Sequence, residues 1–198
     1  MADQMSGSDG AHKLDHVHRV VKSAKQLAAV ENADLSVVIP AAWLHDCVIM
    51  PKDSWRRNQA SQMAAKAAGG FLQASGYETE LIPAIEHAIA AHSFSAKIPP
   101  ETIEAKVVQD ADRLDAIGAI GIARCIIVGA SFGRPLYHPD EPFAQQRQLD
   151  DKQYSIDHFY VKLFKLLETM QTDAGRAEAE RRTQFMRDFL AQLKSEIE

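Results

Sequence analysis

The stretch AAWLHDCVIMPKDSWRR, from Ala41 to Arg57, places a histidine and an aspartate directly after an apolar run. Trp43 and Leu44 have the character of core residues, so the adjacent His45–Asp46 pair is expected to be drawn toward the interior. A buried carboxylate is costly unless a cation or hydrogen-bond donors replace its lost water. Three groups can compensate it: an arginine, a helix N-terminus or a metal ion. The rest of the chain has to decide among them.

The bulk composition suits one globular domain. The chain has 198 residues, is 46% hydrophobic and carries a net charge of -5. We expect a single domain over 1–198, with its core at about 12–132 and C-terminal helices at about 153–197 packing on it. The negative charge argues against a nucleic-acid partner but is compatible with a small phosphorylated ligand in a local basic pocket.

Targeting signals are not visible in the sequence. The N-terminus MADQMSGSDG lacks the basic and apolar regions of a signal peptide. The apolar run AIGAIGIARCIIVGA contains Arg124 and is too short for a membrane span, so no membrane partner is expected. Cys47 and Cys125 both lie in apolar surroundings, which fits a reducing cytoplasm.

Hydrophobic periodicity indicates helices throughout. Apolar residues recur at helical spacing and no alternating strand pattern stands out, so the predicted fold class is all-α. Thr102 is expected to cap one of the helices. The segment SFGRPLYHPDEP, residues 131–142, is rich in proline and glycine and is expected to form a loop, as a lid or an interface arm of a homo-oligomer. The predicted helices span about 14–30, 35–47, 57–74, 79–91, 103–115, 116–128, 157–171 and 174–197.

Three segments carry histidines and aspartates that could converge. In DHVHRVVKSA, His16 and Arg19 are three residues apart and share a helix face, while His18 points about 160° away. Only one of these histidines can easily be a ligand, and both could instead be ordinary polar positions. The second segment is the His45–Asp46 pair. Adjacent side chains on a helix point about 100° apart. His45 and Asp46 can therefore share an ion only near a helix end; the alternative is a capping aspartate beside a core histidine.

The third segment, VVQDADRLDAIGAIGIAR, has three aspartates in an otherwise apolar stretch. Asp112 and Asp115 can share a helix face, and Asp110 cannot easily join both. Arginine side chains could balance these negative charges. A bound metal ion is the more specific alternative. Imidazole and carboxylate ligands together suit one divalent transition metal (Mn, Fe, Co, Ni or Zn) better than calcium or a magnesium cage. Such a metal activates water and polarises phosphoryl oxygens.

In this order, HVHRV, then HD, then DADRLDAIGAIGIAR, the motifs resemble the HD-domain superfamily of metal-dependent phosphohydrolases. The phrases HAIAAHSFSAKI and EPFAQQRQLDDKQYSIDHF are similar to those of its YedJ/YpgQ-type bacterial members. The resemblance covers about residues 12–190. It implies an all-helical fold, a single HD-domain bundle, with one divalent metal at its centre.

Carried over residue by residue, the resemblance implies that the metal ligands are His16, His45, Asp46 and Asp112, with Asp110 in reserve. The metal is then the cation that compensates Asp46. Some nucleotidases of the superfamily have a glutamate three residues after the HD pair, where this chain has Ile49.

The general base therefore stays open, and Asp115 and His92 are the candidate catalytic residues, with Asp110 a further possibility. His87 and His92 invite a second metal site, but their spacing of five does not aim both at one point of a continuous helix. His92 is therefore favoured as a contact to substrate or water.

Positive charge for a phosphate comes directly after the HD pair. Lys52 and Arg56 in MPKDSWRRNQAS are candidate substrate-binding residues, as is Arg19 behind His16. A solvated basic turn is the alternative. The leading prediction is hydrolysis of a phosphoester or pyrophosphate bond in a nucleotide. The competing predictions are a non-catalytic module that senses a nucleotide or metal, and a metal hydrolase or hydratase acting on a non-phosphate small molecule.

Overall fold

The computed structural model describes residues 6–48 and 57–197, and these residues form α-helices, short 3₁₀ helices and loops. No strand occurs within these two ranges. The predicted all-α fold class is therefore confirmed. The α-helices are α1 (Ser6–Glu31), α2 (Leu35–Leu44), α3 (Ala60–Ala74), α4 (Ile82–His92), α5 (Ile103–Leu114), α6 (Gly118–Ser131), α7 (Asp157–Val161) and α8 (Asp173–Ile197).

The chain divides into two compact units. The first contains the described residues up to Asp112 together with Gln171–Gly175, and the second contains Arg113–Met170 and the described residues from Arg176. In the first unit α2 packs against α1 and α4, and α3 packs against α4. The single-domain organisation expected from the sequence stays a prediction.

Helix α2 carries a proline in its interior, and the fold compensates for it. Asp34 caps the helix by accepting a hydrogen bond from the Ser36 amide at 2.8 Å. Pro40 has no N–H, so the Ser36 carbonyl lacks its usual helical donor. The Tyr77 hydroxyl donates to that carbonyl at 2.7 Å. This replacement lets an otherwise apolar helix run to Leu44, immediately before the histidine-aspartate pair.

The helix boundaries differ from the predicted ones where the backbone changes conformation. Helix α6 starts two residues after the predicted start, because Ile117 is extended and Gly118 has a φ of +76°. The predicted helix at 157–171 is interrupted at Lys162, which has φ -133° and ψ -55°, and continues as a 3₁₀ helix over Leu163–Thr169. Thr102 caps α5 as predicted: its hydroxyl accepts a hydrogen bond from the Ala105 amide.

The long connection between α6 and α7, in the second unit, is held by internal hydrogen bonds. Asp157 is fully buried, and both of its carboxylate oxygens accept hydrogen bonds from Arg147 at 2.6 Å. The Asp150 amide donates to the same carboxylate, and Arg147 also donates to the Glu141 carbonyl. The connection predicted from its proline and glycine content is therefore an internally braced loop.

The described helices differ from membrane-spanning segments in length or composition. None of these helices is long and apolar enough to cross a bilayer by itself. Only α5 and α6 taken together as a bent pair reach the necessary length and composition, and core helices also do so.

Candidate metal centre

Four helices of the first unit bring five ionisable side chains together. His16 lies on α1, and His45 and Asp46 follow the last residue of α2. His92 ends α4, and Asp112 lies near the end of α5. Because α2 stops at Leu44, the adjacent His45 and Asp46 leave the helix at its end, where neighbouring side chains can aim at one point. The helix-end position expected for this pair is thus found.

The ring nitrogens and carboxylate oxygens face one another at short range. His16 Nε2 lies 3.3 Å from both His45 Nε2 and Asp112 Oδ1. His45 Nε2 lies 3.8 Å from Asp112 Oδ1 and 3.8 Å from Asp46 Oδ2. His92 Nε2 lies 3.6 Å from Asp46 Oδ1. Two groups of possible ligand atoms result, His16–His45–Asp112 and His45–Asp46–His92, and they share His45.

Backbone carbonyls fix which nitrogen of two histidines points to the centre. His45 Nδ1 lies 2.8 Å from the Ala42 carbonyl, and His92 Nδ1 lies 2.6 Å from the Ile89 carbonyl. A carbonyl only accepts, so Nδ1 carries the proton in both rings. In neutral His45 the Nε2 lone pair is therefore directed at the cluster. Metal-binding histidines are commonly oriented by such a second hydrogen bond.

The electrostatics of the cluster separate the two carbonyl-bound histidines. Burial lowers the pKa of His45, which has no exposed surface, so its neutral form is favoured. Burial also disfavours the charged form of His92, but the Asp46 and Asp112 carboxylates and the Ile89 carbonyl together outweigh burial and raise the pKa of His92. Burial opposes ionisation of Asp46 and Asp112, yet contacts with His92 and His16 respectively lower the pKa of both carboxyl groups. Both aspartates are thus held ionised.

The donor set fits a divalent transition metal. An ion about 2.1 Å from each ligand holds neighbouring ligand atoms roughly 3 to 3.5 Å apart. The closest separations in the cluster, those of His16 Nε2 to His45 Nε2 and to Asp112 Oδ1, are of this size. Mixed nitrogen and oxygen ligands suit Mn, Fe, Co, Ni or Zn.

Asp110, the reserve ligand candidate, is engaged elsewhere. Its carboxylate is fully buried and accepts hydrogen bonds from the amides of Gln171 and Thr172 and from the Thr172 hydroxyl. Helix α8 begins at Asp173. A Cβ on Gly175 would overlap Asp110 Oδ2, so this position of α8 requires glycine. Asp110 thus anchors the start of α8 instead of facing the histidines.

The remaining candidate residues lie in different places. Asp115 belongs to the second unit, where its buried carboxylate accepts a hydrogen bond from Arg124. Arg19 lies half-buried on α1, one turn after His16. Lys52 and Arg56, together with Ile49, lie outside the described residues.

One supporting residue was missed from the sequence. Gln109 is buried, and its side-chain amide donates to the Ala91 carbonyl at 2.6 Å, directly before His92. The available signal was its spacing, because Gln109 lies three residues before Asp112 and shares its helix face. His87, considered for a second metal, instead accepts a hydrogen bond from the Glu101 amide at 3.0 Å.

Comparison with known proteins places this cluster in a family. The HD domain family matches residues 14–117, which include all five clustered side chains. YpgQ of Bacillus subtilis (strain 168) is 35% identical over 201 residues, covering 100% of this chain and 88% of that protein.

Two solved structures agree with the sequence match. B. subtilis YpgQ in complex with ADP has a TM-score of 0.71 at 36% identity, covering 92% of this chain and 85% of that one. An HD-superfamily hydrolase from Bacillus thuringiensis has a TM-score of 0.74 at 34% identity, covering 93% and 86%. The chain therefore belongs to the HD domain family.

Proposed function

We propose that this protein is a metal-dependent phosphohydrolase that cleaves a phosphoester or pyrophosphate bond of a nucleotide. The observation that carries the proposal is the convergence of three histidines and two aspartates from four helices within a few ångströms. The similarity to an HD-superfamily hydrolase supports hydrolysis as the reaction class. That the substrate is phosphorylated is the more specific part of the proposal, beyond the hydrolase class.

The proposed metal ligands are His16, His45, Asp46 and Asp112, holding one ion of Mn, Fe, Co, Ni or Zn. When bound, such an ion supplies Lewis-acid chemistry, polarising a phosphoryl oxygen and lowering the pKa of water. The protein's own contribution is orientation. The Ala42 carbonyl holds the His45 ring, and the surrounding helix ends keep the donors in place before the ion binds.

His92 is the proposed contact to the substrate or the attacking water. Its ring is held by the Ile89 carbonyl, and its Nε2 faces Asp46. In this position it can donate a proton to a phosphate oxygen or hold a water next to the reacting phosphorus. Asp115 was the other candidate from the sequence. Its ion pair with Arg124 engages the carboxylate, so we favour His92 for this role.

A nucleotide is the proposed substrate class because YpgQ, a relative covering nearly the whole chain, has been solved in complex with ADP. Lys52, Arg56 and Arg19 are the proposed phosphate contacts. Guanidinium groups bind phosphate oxygens in pairs, and a lysine adds a compact point charge. The two unpaired cysteines, Cys47 and Cys125, are compatible with a cytoplasmic location. Assembly into a homo-oligomer stays a prediction.

The test is a substrate screen on metal-loaded protein. The full chain is incubated with each candidate metal and with nucleoside tri-, di- and monophosphates, and release of phosphate and pyrophosphate is measured separately. We expect turnover with at least one nucleotide, lost in Asp112→Ala and retained in Asp15→Asn, which changes an exposed carboxylate beside His16.

Two outcomes would contradict the proposal. Stoichiometric metal with nucleotide binding but no turnover would favour the sensing module. Turnover of an amide or nitrile but of no phosphate compound would favour the hydrolase or hydratase of non-phosphate molecules.

A further inference from the structure

The second unit contains a groove of about 390 Å³ that lies within the size range of small-molecule sites. One side is the face of α8 that carries Arg187, Leu190, Ala191 and Lys194. These residues are spaced i, i+3, i+4 and i+7, so they form one stripe along the helix. The two cations are about 10 Å apart along the axis, with apolar side chains between them.

Aromatic rings form the other side of the groove. Phe143 comes from the braced loop, and Tyr160 and Phe164 come from the segment that follows it. Phe164 is anchored below: its ring lies 6.1 Å from fully buried Phe159 and 5.5 Å from Tyr160, both edge to face. The Phe164 and Tyr160 rings are therefore held in place before any ligand arrives, which reduces the ordering cost of binding.

Both cations lie over these rings. The Arg187 guanidinium is centred 4.6 Å from the Phe164 ring, and Lys194 Nζ lies 5.9 Å from the Phe143 ring. Stacking leaves the edge of a guanidinium available to an anion. Within the described part of the chain, neither the Arg187 guanidinium nor the Tyr160 hydroxyl has a hydrogen-bond partner.

The charge of the groove is opposite to that of the whole protein. The chain has a net charge of -5, yet the groove lining includes two cations and no acidic residue. Arg181 and Arg182 of the same helix face Glu178, whereas the Arg187 guanidinium has no carboxylate partner among the described residues. A cationic groove with aromatic walls is complementary to a ligand that is both flat and negatively charged.

We propose that this groove binds a small planar aromatic anion. The ring of the ligand lies over Leu190 and Ala191, between the aromatic side chains. Its phosphate or carboxylate meets the Arg187 guanidinium, and the Tyr160 hydroxyl donates a further hydrogen bond. A mononucleotide and an aromatic carboxylate both have this chemistry. The site is built from residues of the second unit and does not depend on the proposed hydrolase function.

Isothermal titration calorimetry on the full chain in EDTA tests the proposal with defined probes. AMP and 4-hydroxybenzoate stand for the two ligand sources, and adenosine and inorganic phosphate each supply only one half of the chemistry. We expect AMP or 4-hydroxybenzoate to bind at this groove in the wild-type chain. The double variant Arg187→Ala plus Lys194→Ala should remove that binding site from the measured stoichiometry. Arg187→Ala alone should weaken binding about tenfold or more, with Arg187→Lys in between.

Arg181→Ala is the matched control, because it removes a cation from the same helix outside the groove. It should leave affinity within about twofold. The proposal is overturned if neither probe binds, if adenosine or phosphate alone binds as tightly as AMP when 4-hydroxybenzoate does not bind, or if the groove variants weaken binding no more than Arg181→Ala. Circular dichroism of each variant separates loss of binding from loss of fold.

Discussion

Two aspartates near helix ends, Asp157 and Asp112, receive different electrostatic compensation. Asp157 in the second unit has no exposed surface and is matched by a guanidinium that donates two hydrogen bonds. Asp112 in the first unit contacts imidazoles instead, with His16 at 3.3 Å and His45 at 3.8 Å. A guanidinium is permanently charged, whereas an imidazole is not. Asp157 is therefore balanced by a permanent cation of its own unit, whereas Asp112 faces side chains that can bind a metal ion together with it.

Asp110 gives a third solution to the same problem. Its carboxylate accepts hydrogen bonds from two amides and a hydroxyl. Asp110 and Asp112 are only two residues apart, so their different environments follow from the direction each side chain takes from α5. The Asp110 carboxylate accepts hydrogen bonds from the protein and stabilises the fold. The Asp112 carboxylate faces imidazoles and belongs to the candidate metal centre.

The largest expected effect is on catalysis. Asp112→Ala should reduce nucleotide hydrolysis by at least about 10³-fold, because it removes a charged ligand from the proposed metal centre. The free energy of unfolding of the metal-free chain should fall by less than in Asp157→Ala, because Asp112 contacts imidazoles, which carry less positive charge at neutral pH than a guanidinium. Steady-state rates and urea denaturation in EDTA measure the two effects. Full activity in Asp112→Ala would show that this carboxylate is not a ligand.

Asp157→Ala should have the opposite consequence. Breaking a buried ion pair leaves Arg147, which is only 14% exposed, without its partner. We expect the free energy of unfolding to fall by about 3–5 kcal/mol, measured by urea denaturation. Metal content per folded chain should not change. If Asp157→Ala instead released metal from a stably folded protein, the assignment of a purely structural role to Asp157 and a metal-binding role to Asp112 would be wrong.

A smaller loss is expected at the anchor of α8. Thr172→Val keeps the side-chain shape but removes the hydroxyl that donates to Asp110 at 2.8 Å. The free energy of unfolding should fall by about 1–2 kcal/mol.

Thr183→Val is the matched control, because the buried Thr183 hydroxyl has no hydrogen-bond partner in the described structure. It should be neutral or slightly stabilising. Equal losses in both variants would mean that the Asp110 contact contributes nothing specific.

The smallest effect concerns the partly exposed Glu178 carboxylate, which contacts two arginines, and its pH dependence. Hydrogen bonds from Arg181 and Arg182 lower the pKa of Glu178 to about 2, against a partial opposing effect of burial. A depressed carboxyl pKa stabilises the fold above the ordinary value of 4.5, and this contribution is lost as the pH falls through about 2. Glu178→Gln should therefore cost only about 0.5 kcal/mol at pH 7, after solvent screening.

Denaturant titrations at several pH values check that window. The difference in unfolding free energy between Glu178→Gln and the wild-type chain should shrink between pH 4.5 and pH 2. A difference that grows on acidification would reverse the assigned sign.

Helical periodicity predicted the all-α class, and the order of the histidine and aspartate motifs pointed to side chains that the structure brings close together. Periodicity did not reveal the break at Lys162, because that break is a backbone conformation within an apolar helical pattern. Periodicity also could not show that Asp110 and Asp112 have different environments. The groups that engage Asp110 come 61 and 62 residues later in the chain, and only the folded structure shows that they are neighbours.

The most direct measurement is the metal content of the full chain purified without chelator, compared with Asp46→Ala and Asp15→Asn prepared in the same way. The account predicts about one transition-metal ion per wild-type chain and per Asp15→Asn chain, and none in Asp46→Ala. Equal metal content in all three, or no metal in the wild-type chain when metal is supplied, would contradict the claim that an ion compensates these carboxylates.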